Sequence, residues 1–141
     1  MIIAASPWSL HPRLEKDAMS VGDLPLSCVL AVMDANFPWV LLVPRRAGAC
    51  EIIDLAEPEQ AQLMTEIARV ASALKSITGC AKLNVAAIGN VVPQLHIHLV
   101  ARRVGDAAWP KPVWGTVPAK PYGAGELQTF IAALRGAIGV A

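Results

Sequence analysis

The sequence predicts an α+β fold: an antiparallel β-meander of about five strands, one long helix packed on it and a helix at the C-terminal end. Three observations predict it. Two apolar runs, 26–33 and 39–44, are joined by the five residues DANFP, which favours antiparallel pairing. Residues 58–78 carry apolar side chains at steps of four and three, the spacing of one helix face. Residues 94–103 alternate with a period of two, as a half-buried strand does.

Taken in order, residues 1–23 read as irregular, with one short helical turn around 10–18. LSCVLAVM, 26–33, is β-rich and has the length of a buried strand. Asp34, Asn36 and Pro38 are turn residues. WVLLVP, 39–44, is the second strand and ends at Pro44. A short extended piece is expected at 50–55. The helix after it has Pro58 in its first turn, with Glu57 and Glu59 near the positive end of the dipole. Its stripe is Leu63, Ile67, Val70, Leu74 and Ile77, and Gly79 closes it. KLNVAAIG, 82–89, reads as a strand, and a turn at 89–93 leads to the strand 94–103. Residues 104–125 are rich in proline and glycine, which excludes a regular helix or central strand. Trp109, Trp114 and Tyr122 within them are large enough to pack as an ordered flap, over the core, across a dimer partner or as a lid. Residues 126–138 form the last helix, with Leu127, Phe130, Ile131, Leu134 and Ile138 on one side. The whole chain, 1–141, is expected to be a single domain, with its core at 24–103 and the flap and helix at 104–141.

Composition bounds function. Hydrophobic residues make up 55% and charged residues 16%, a balance opposed to disorder. The net charge of +1 supplies no global field to recruit nucleic acid or a membrane surface. The most apolar stretch, 24–44, is interrupted by Asp34, Asn36 and Pro38, so neither half has the roughly 18 unbroken apolar residues of a span. The first residues lack the basic start of a signal peptide. Cys28, Cys50 and Cys80 are odd in number and unpaired in spacing, which suits a reduced, cytoplasmic protein. The high apolar fraction suits a homodimer. Absence of P-loop, GxGxxG and Gly-x-Ser-x-Gly patterns leaves ATPase, dinucleotide oxidoreductase and serine hydrolase readings without support.

The chemistry concentrates in QLHIHLV, 94–100. Leu95, Ile97 and Leu99 point to one face, and Gln94, His96 and His98 to the other. Three readings are open. The polar face is simply solvated. His96 and His98 are two ligands of a metal whose remaining ligands are not placed by any spacing. Or the imidazoles are catalytic: a neutral imidazole attacks phosphorus well, and covalent catalysis divides one displacement into two easier ones. Arg45–Arg46 and Arg102–Arg103 each follow a strand, as phosphate or nucleic-acid contacts or as solvated strand ends. His11 reads as a structural or surface histidine.

QLHIHLV resembles the signature of the histidine triad family of nucleotide hydrolases and transferases, His-φ-His-φ-His-φ-φ with φ apolar. It matches at the second and third histidines and at all four apolar positions. Gln94 stands at the first. The strand-loop-strand VLAVMDANFPWVLLVPRR, Asn84 and Gly89–Asn90 also fit the family, so the likeness covers most of 24–103. The resemblance implies that His96 attacks the α-phosphorus of a purine nucleotide conjugate and carries the nucleotidyl group, while His98 contacts the phosphate. It implies that Asn84 lines the nucleotide pocket and that Gly89 and Asn90 approach the phosphates. Asp34, or else Asn36, would hold the ribose hydroxyls, and Val32 and Phe37 would line the base pocket. Gln94 would orient His96 or a phosphate oxygen, but an amide cannot shuttle a proton. Trp39 stands near a position where many members have a further histidine, and it offers an aromatic face and one N–H. No cofactor is required, although a polyphosphate substrate can bring Mg²⁺. The expected activity is that of a nucleotide phosphoramidase or dinucleoside polyphosphate hydrolase, the alternative a nucleotide-binding module with little or no catalysis. In the family the long helix and a strand pair across a two-fold axis, which implies a homodimer.

Overall fold

The computed structural model describes residues 7–141. The expectations for residues 1–6 lie outside them. Five strands form one antiparallel sheet: β1 (Ala18–Asp23), β2 (Ser27–Val32), β3 (Trp39–Pro44), β4 (Lys82–Ala86) and β5 (Ile97–Arg102), in spatial order β1-β2-β3-β5-β4. A short helix α1 (Pro12–Asp17) precedes β1, the long helix α2 (Glu57–Thr78) links β3 to β4, and α3 (Glu126–Ile138) follows the flap. The α+β class expected from the sequence is what forms. Its order departs from a plain meander because α2 carries the chain past the sheet edge, and β5 then returns into the slot between β3 and β4.

Two elements differ in kind from expectation, and β4 ends at Ala86 rather than at residue 89. Residues 18–23 are a strand, not irregular chain. The sequence AMSVGD hides it: its burial alternates poorly, and its register with β2 shifts between Ser20 and Gly22. Such a bulge breaks the period of two. Residues 52–54 form a 3₁₀ turn rather than an extended piece, because Asp54 Oδ2 accepts the backbone N–H groups of Cys50 and Glu51 and folds the segment back.

The sheet has two different faces. Val29, Ala31, Val40, Leu42, Ile97, Leu99 and Ala101 pack with Leu63, Ile67, Val70 and Leu74 of α2 and with Leu127, Ile131, Leu134 and Ile138 of α3. Removing one of these buried leucines costs about 2–5 kcal/mol. Glu66 lies on the same side of α2, 1% exposed. Its carboxylate accepts the backbone N–H groups of Leu26 at 2.8 Å and Ser27 at 2.9 Å, and Gln62 donates to it from one turn earlier. This carboxylate ties the helix to the β1–β2 turn and satisfies two backbone donors. Gly79, left-handed at φ 63°, ends α2 as expected.

The opposite face is covered in pieces. Cys28, Leu30, Leu41 and Val43 meet Leu14 of α1, together with Trp8 and Leu10. Val100 meets Phe37, Ala108, Val113 and Trp114 from the loop and flap. Between these two coverings the sheet is left open, and the histidines lie there.

Arg102 is neither a solvated strand end nor a free phosphate contact. It is 1% exposed, its guanidinium gripped at 2.8 and 2.9 Å by both carboxylate oxygens of Asp106. The Asp106 carboxylate also caps the turn N–H groups of Arg103, Ala108 and Trp109. The Arg102 hydrogen bond comes first among the causes that hold the Asp106 carboxyl down at about 2. Arg45 donates to the Leu24 and Pro25 carbonyls, and Arg46 pairs with Glu59. Among the described residues no helix is long and apolar enough to cross a membrane.

Candidate active site

His98 is the second residue of β5, opposite Leu41 of β3 and Ala86 of β4. His96 lies just before the strand begins. The expected strand therefore starts three residues late, yet the alternation persists: Leu95, Ile97 and Leu99 enter the helix-covered core, and both imidazoles line a cavity of about 510 Å³ on the open face. The rings stand with centroids 4.8 Å apart and are 6% and 8% exposed.

Each ring has one nitrogen committed. His96 Nδ1 lies 2.7 Å from the backbone carbonyl oxygen of Gln94. A carbonyl only accepts, so Nδ1 carries the proton and Nε2 keeps its lone pair. Trp39 Nε1 donates to His98 Nδ1 at 3.0 Å. An indole N–H only donates, so His98 takes the other tautomer, with its proton on Nε2. The contact is diagonal: Trp39 is opposite Val100, two residues from His98, within reach of a large aromatic side chain. Burial first, and then the charge of His96, hold His98 down at about 4. With both rings neutral, the site therefore presents a lone-pair nitrogen on His96 and an N–H donor on His98.

The cavity wall comes from four parts of the chain. α1 contributes Arg13, Leu14 and Asp17. The sheet contributes Val32, Trp39 and Leu41. The β4–β5 loop contributes Ile88, Gly89, Asn90, Val91 and Val92, and the flap contributes Trp114. Gly89 takes φ 65°, the left-handed conformation glycine tolerates best, and this turns the loop. Trp114 stands edge-on to His98 at 5.0 Å and to Trp39 at 5.9 Å. An adjoining cavity of about 400 Å³ shares Asp17, Val32, Trp39 and Trp114 with the first and has Asp34 and Lys16 in its wall.

The expected residues thus divide. His96, His98, Gly89, Asn90 and Val32 share the main cavity, and Asp34 lies next door. Asp34 is 7% exposed and its Oδ1 accepts the Asn36 backbone and side-chain N–H groups and the Lys120 N–H. Four expected residues are not brought to the histidines. Asn36 bridges Asp34 and the Pro118 carbonyl, fastening the flap. Phe37 is buried under the flap against Val100. Asn84 Oδ1 accepts from Arg102 Nη1 at 2.9 Å, because the buried guanidinium needs an acceptor beyond Asp106. The Gln94 side chain turns away to the N-terminal segment, accepting from His11 N–H and donating to the Ser9 carbonyl, both at 2.8 Å. Its backbone, not its amide, orients His96.

The helical turn expected around 10–18 forms as α1, but its place in the cavity wall was not foreseen, nor were the Trp39–His98 bond and the placing of Trp114 against His98. Pro12 at the start of a charged hexapeptide suits a helical turn, but nothing local says what that turn packs against. No signal in one sequence gives the β3–β5 register on which the other contact depends. Among the described residues no three His, Cys, Asp or Glu side chains come together as a metal site.

The HIT domain family model matches residues 13–105. A histidine triad protein from Bradyrhizobium japonicum is 63% identical, with 94% of this chain and 99% of that one covered and a TM-score of 0.93. One from Sinorhizobium meliloti 1021 is 43% identical over 92% and 96% of the two chains, with a TM-score of 0.89. One from Marinobacter aquaeolei VT8 is 40% identical over 95% and 98%, with a TM-score of 0.92. No curated protein matches the chain significantly.

Proposed function

The chain belongs to the HIT domain family, and from that premise we propose that it binds a purine nucleotide conjugate and cleaves it at the α-phosphorus through a nucleotidylated His96. The observation that carries this reading is the pair of opposed tautomers. The carbonyl behind His96 Nδ1 leaves Nε2 as the nucleophile, and the indole behind His98 Nδ1 leaves an N–H for a phosphoryl oxygen.

In the first step His96 Nε2 forms a bond to phosphorus, the bond from phosphorus to the leaving group breaks, and the leaving group takes its proton from water. The Nδ1–H remains on the Gln94 carbonyl, which stabilises the positive charge on the ring. In the second step water attacks phosphorus, the N–P bond breaks, and the nucleotide leaves with neutral His96 restored. His98, too weak a base to hold a proton above about pH 4, acts as a hydrogen-bond donor rather than an acid. Gly89 and Asn90 would approach the phosphates, the apolar wall would hold the base, and Asp34 would meet the ribose from the adjoining cavity. Mg²⁺ enters only with a polyphosphate substrate. The family's pairing of long helix and strand extends the proposal to a homodimer, consistent with exposed Met64 on α2 and Val85 on the edge strand β4.

A second reading has one observation of its own. With the Gln94 amide engaged elsewhere and His98 neutral, no imidazolium beside His96 serves as proton donor to a poor leaving group. A nucleotide-binding module with little turnover would have this site.

Intact-mass spectrometry after mixing with an adenosine phosphoramidate, quenched at mildly basic pH, separates the two. A gain of one AMP that disappears in His96→Ala is expected. AMP binding without any adduct would replace the catalytic reading with the binding one.

A further inference from the structure

We propose that Gln94 is a positioning residue that docks the N-terminal segment onto the cavity, and that the docked helix α1 presents Arg13 as the cation that recognises the substrate's phosphate. The second half rests on the nucleotide reading above; the first does not.

The Gln94 amide behaves as one more peptide edge. Its Oε1 accepts the His11 N–H and its Nε2 donates to the Ser9 carbonyl, both at 2.8 Å, joining residues 83 and 85 positions apart. An amide offers a donor and an acceptor side by side. A carboxylate offers only acceptors, and an imidazole holds its two nitrogens on different edges of the ring. The contact therefore uses what is particular to a side-chain amide. From there the order passes directly into α1. His11 Nδ1 accepts the Arg13 N–H and caps the helix, and Leu14 is buried with Trp8 and Leu10 against Leu30, Leu41 and Val92. A six-residue helix has no stability of its own, so docking determines where it lies.

What α1 brings to the cavity is charge. The two histidines supply hydrogen bonds, and among the lining residues of the histidine cavity Arg13 is the one cation. Its pairing with Asp17, at 3.6 Å with both side chains more than half exposed, is of the weak, solvent-screened kind. A phosphate would therefore compete for it readily, with the forked geometry a guanidinium provides.

Two readouts on the full-length protein test this. The first is amide hydrogen exchange in the absence of ligand. Gln94→Ala is expected to speed exchange across residues 9–17 and leave β3 and β5 protected. Gln94→Glu, which keeps the acceptor for His11 and loses the donor to Ser9, should fall between. Unchanged exchange at 9–17 in a folded Gln94→Ala would overturn the docking role. The second is calorimetry with AMP and adenosine. Arg13→Ala should weaken AMP about tenfold and leave adenosine unchanged. The Gln94→Ala/Arg13→Ala double variant should bind AMP no more weakly than Gln94→Ala. Additive losses would mean that Gln94 meets the phosphate itself, and an equal loss for adenosine would remove Arg13 from phosphate recognition. Should the wild-type chain bind neither ligand, the nucleotide reading and the phosphate role fall together, and the exchange experiment still decides the docking role.

Discussion

Trp39 Nε1 lies 3.0 Å from His98 Nδ1, and this contact selects the nitrogen with which His98 can donate. A hydrogen bond of about 1 kcal/mol biases the tautomer ratio about fivefold. Trp39→Phe keeps an aromatic ring and removes the N–H. We expect kcat to fall about fivefold or more, and the His98 titration followed by NMR to move up from about 4, since the lost bond favoured the neutral ring. An unchanged titration would show that burial and the charge of His96 set it without the indole.

The same histidine makes stability depend on pH. In the unfolded chain His98 titrates at its ordinary 6.5, and in the folded protein at about 4. Between those values the unfolded state binds more protons, so stability rises with pH across the window. The contribution is complete above about 6.5 and is lost as pH falls toward 4. It amounts to about 3 kcal/mol. Denaturant unfolding at pH 4.5 and pH 7.5 should show a loss of that order, much reduced in His98→Phe. An equal loss in the variant would assign the effect to other groups.

Asp106→Asn tests the buried ion pair. It leaves the Arg102 guanidinium, 1% exposed, without its counter-charge. Breaking a buried pair on one side costs about 3–5 kcal/mol, and the variant should unfold at a correspondingly lower denaturant midpoint. Arg102→Met/Asp106→Leu, which removes both charges, should recover part of it. A double variant no better than Asp106→Asn would locate the loss in the turn N–H groups that Asp106 caps.

Asp34→Ala separates a fastening role from a nucleotide contact. Asp34 Oδ1 accepts the Lys120 N–H at 3.1 Å, so the variant should lose about 1–3 kcal/mol and exchange the Lys120 amide faster. A loss of AMP affinity with stability and exchange unchanged would assign Asp34 to the ribose instead.

How far the sequence could be read depends on the range of each interaction. The α2 stripe from Leu63 to Leu74 and the alternation of Leu95, Ile97 and Leu99 were legible because a helix face and a strand face are local periodicities. Gly79 and Pro44 ended their elements for reasons local to themselves. His96 and His98 stood out against an apolar strand for the same reason. Illegible were contacts that depend on which strands are neighbours. Trp39 meets His98, and Asn84 is drawn to Arg102, only because β5 returns between β3 and β4. The turn of the Gln94 side chain toward Ser9 and His11 was illegible for a related reason: its partners are backbone groups, which carry no sequence signature.

The docking of residues 9–11 on Gln94 has a consequence for the order in which the molecule is made. During synthesis residues 9–11 emerge long before residue 94 exists to receive them. Sheet pairs such as β1 with β2 and β2 with β3 form between near neighbours in the chain, whereas the Ser9 and His11 contacts close loops of 85 and 83 residues. Closing such loops is slow because chain entropy must be lost before the contact contributes. Residues 9–11 are therefore expected to reach Gln94 after the β1–β2 and β2–β3 pairs have formed, so that this wall of the pocket is among the last parts of the molecule to take shape.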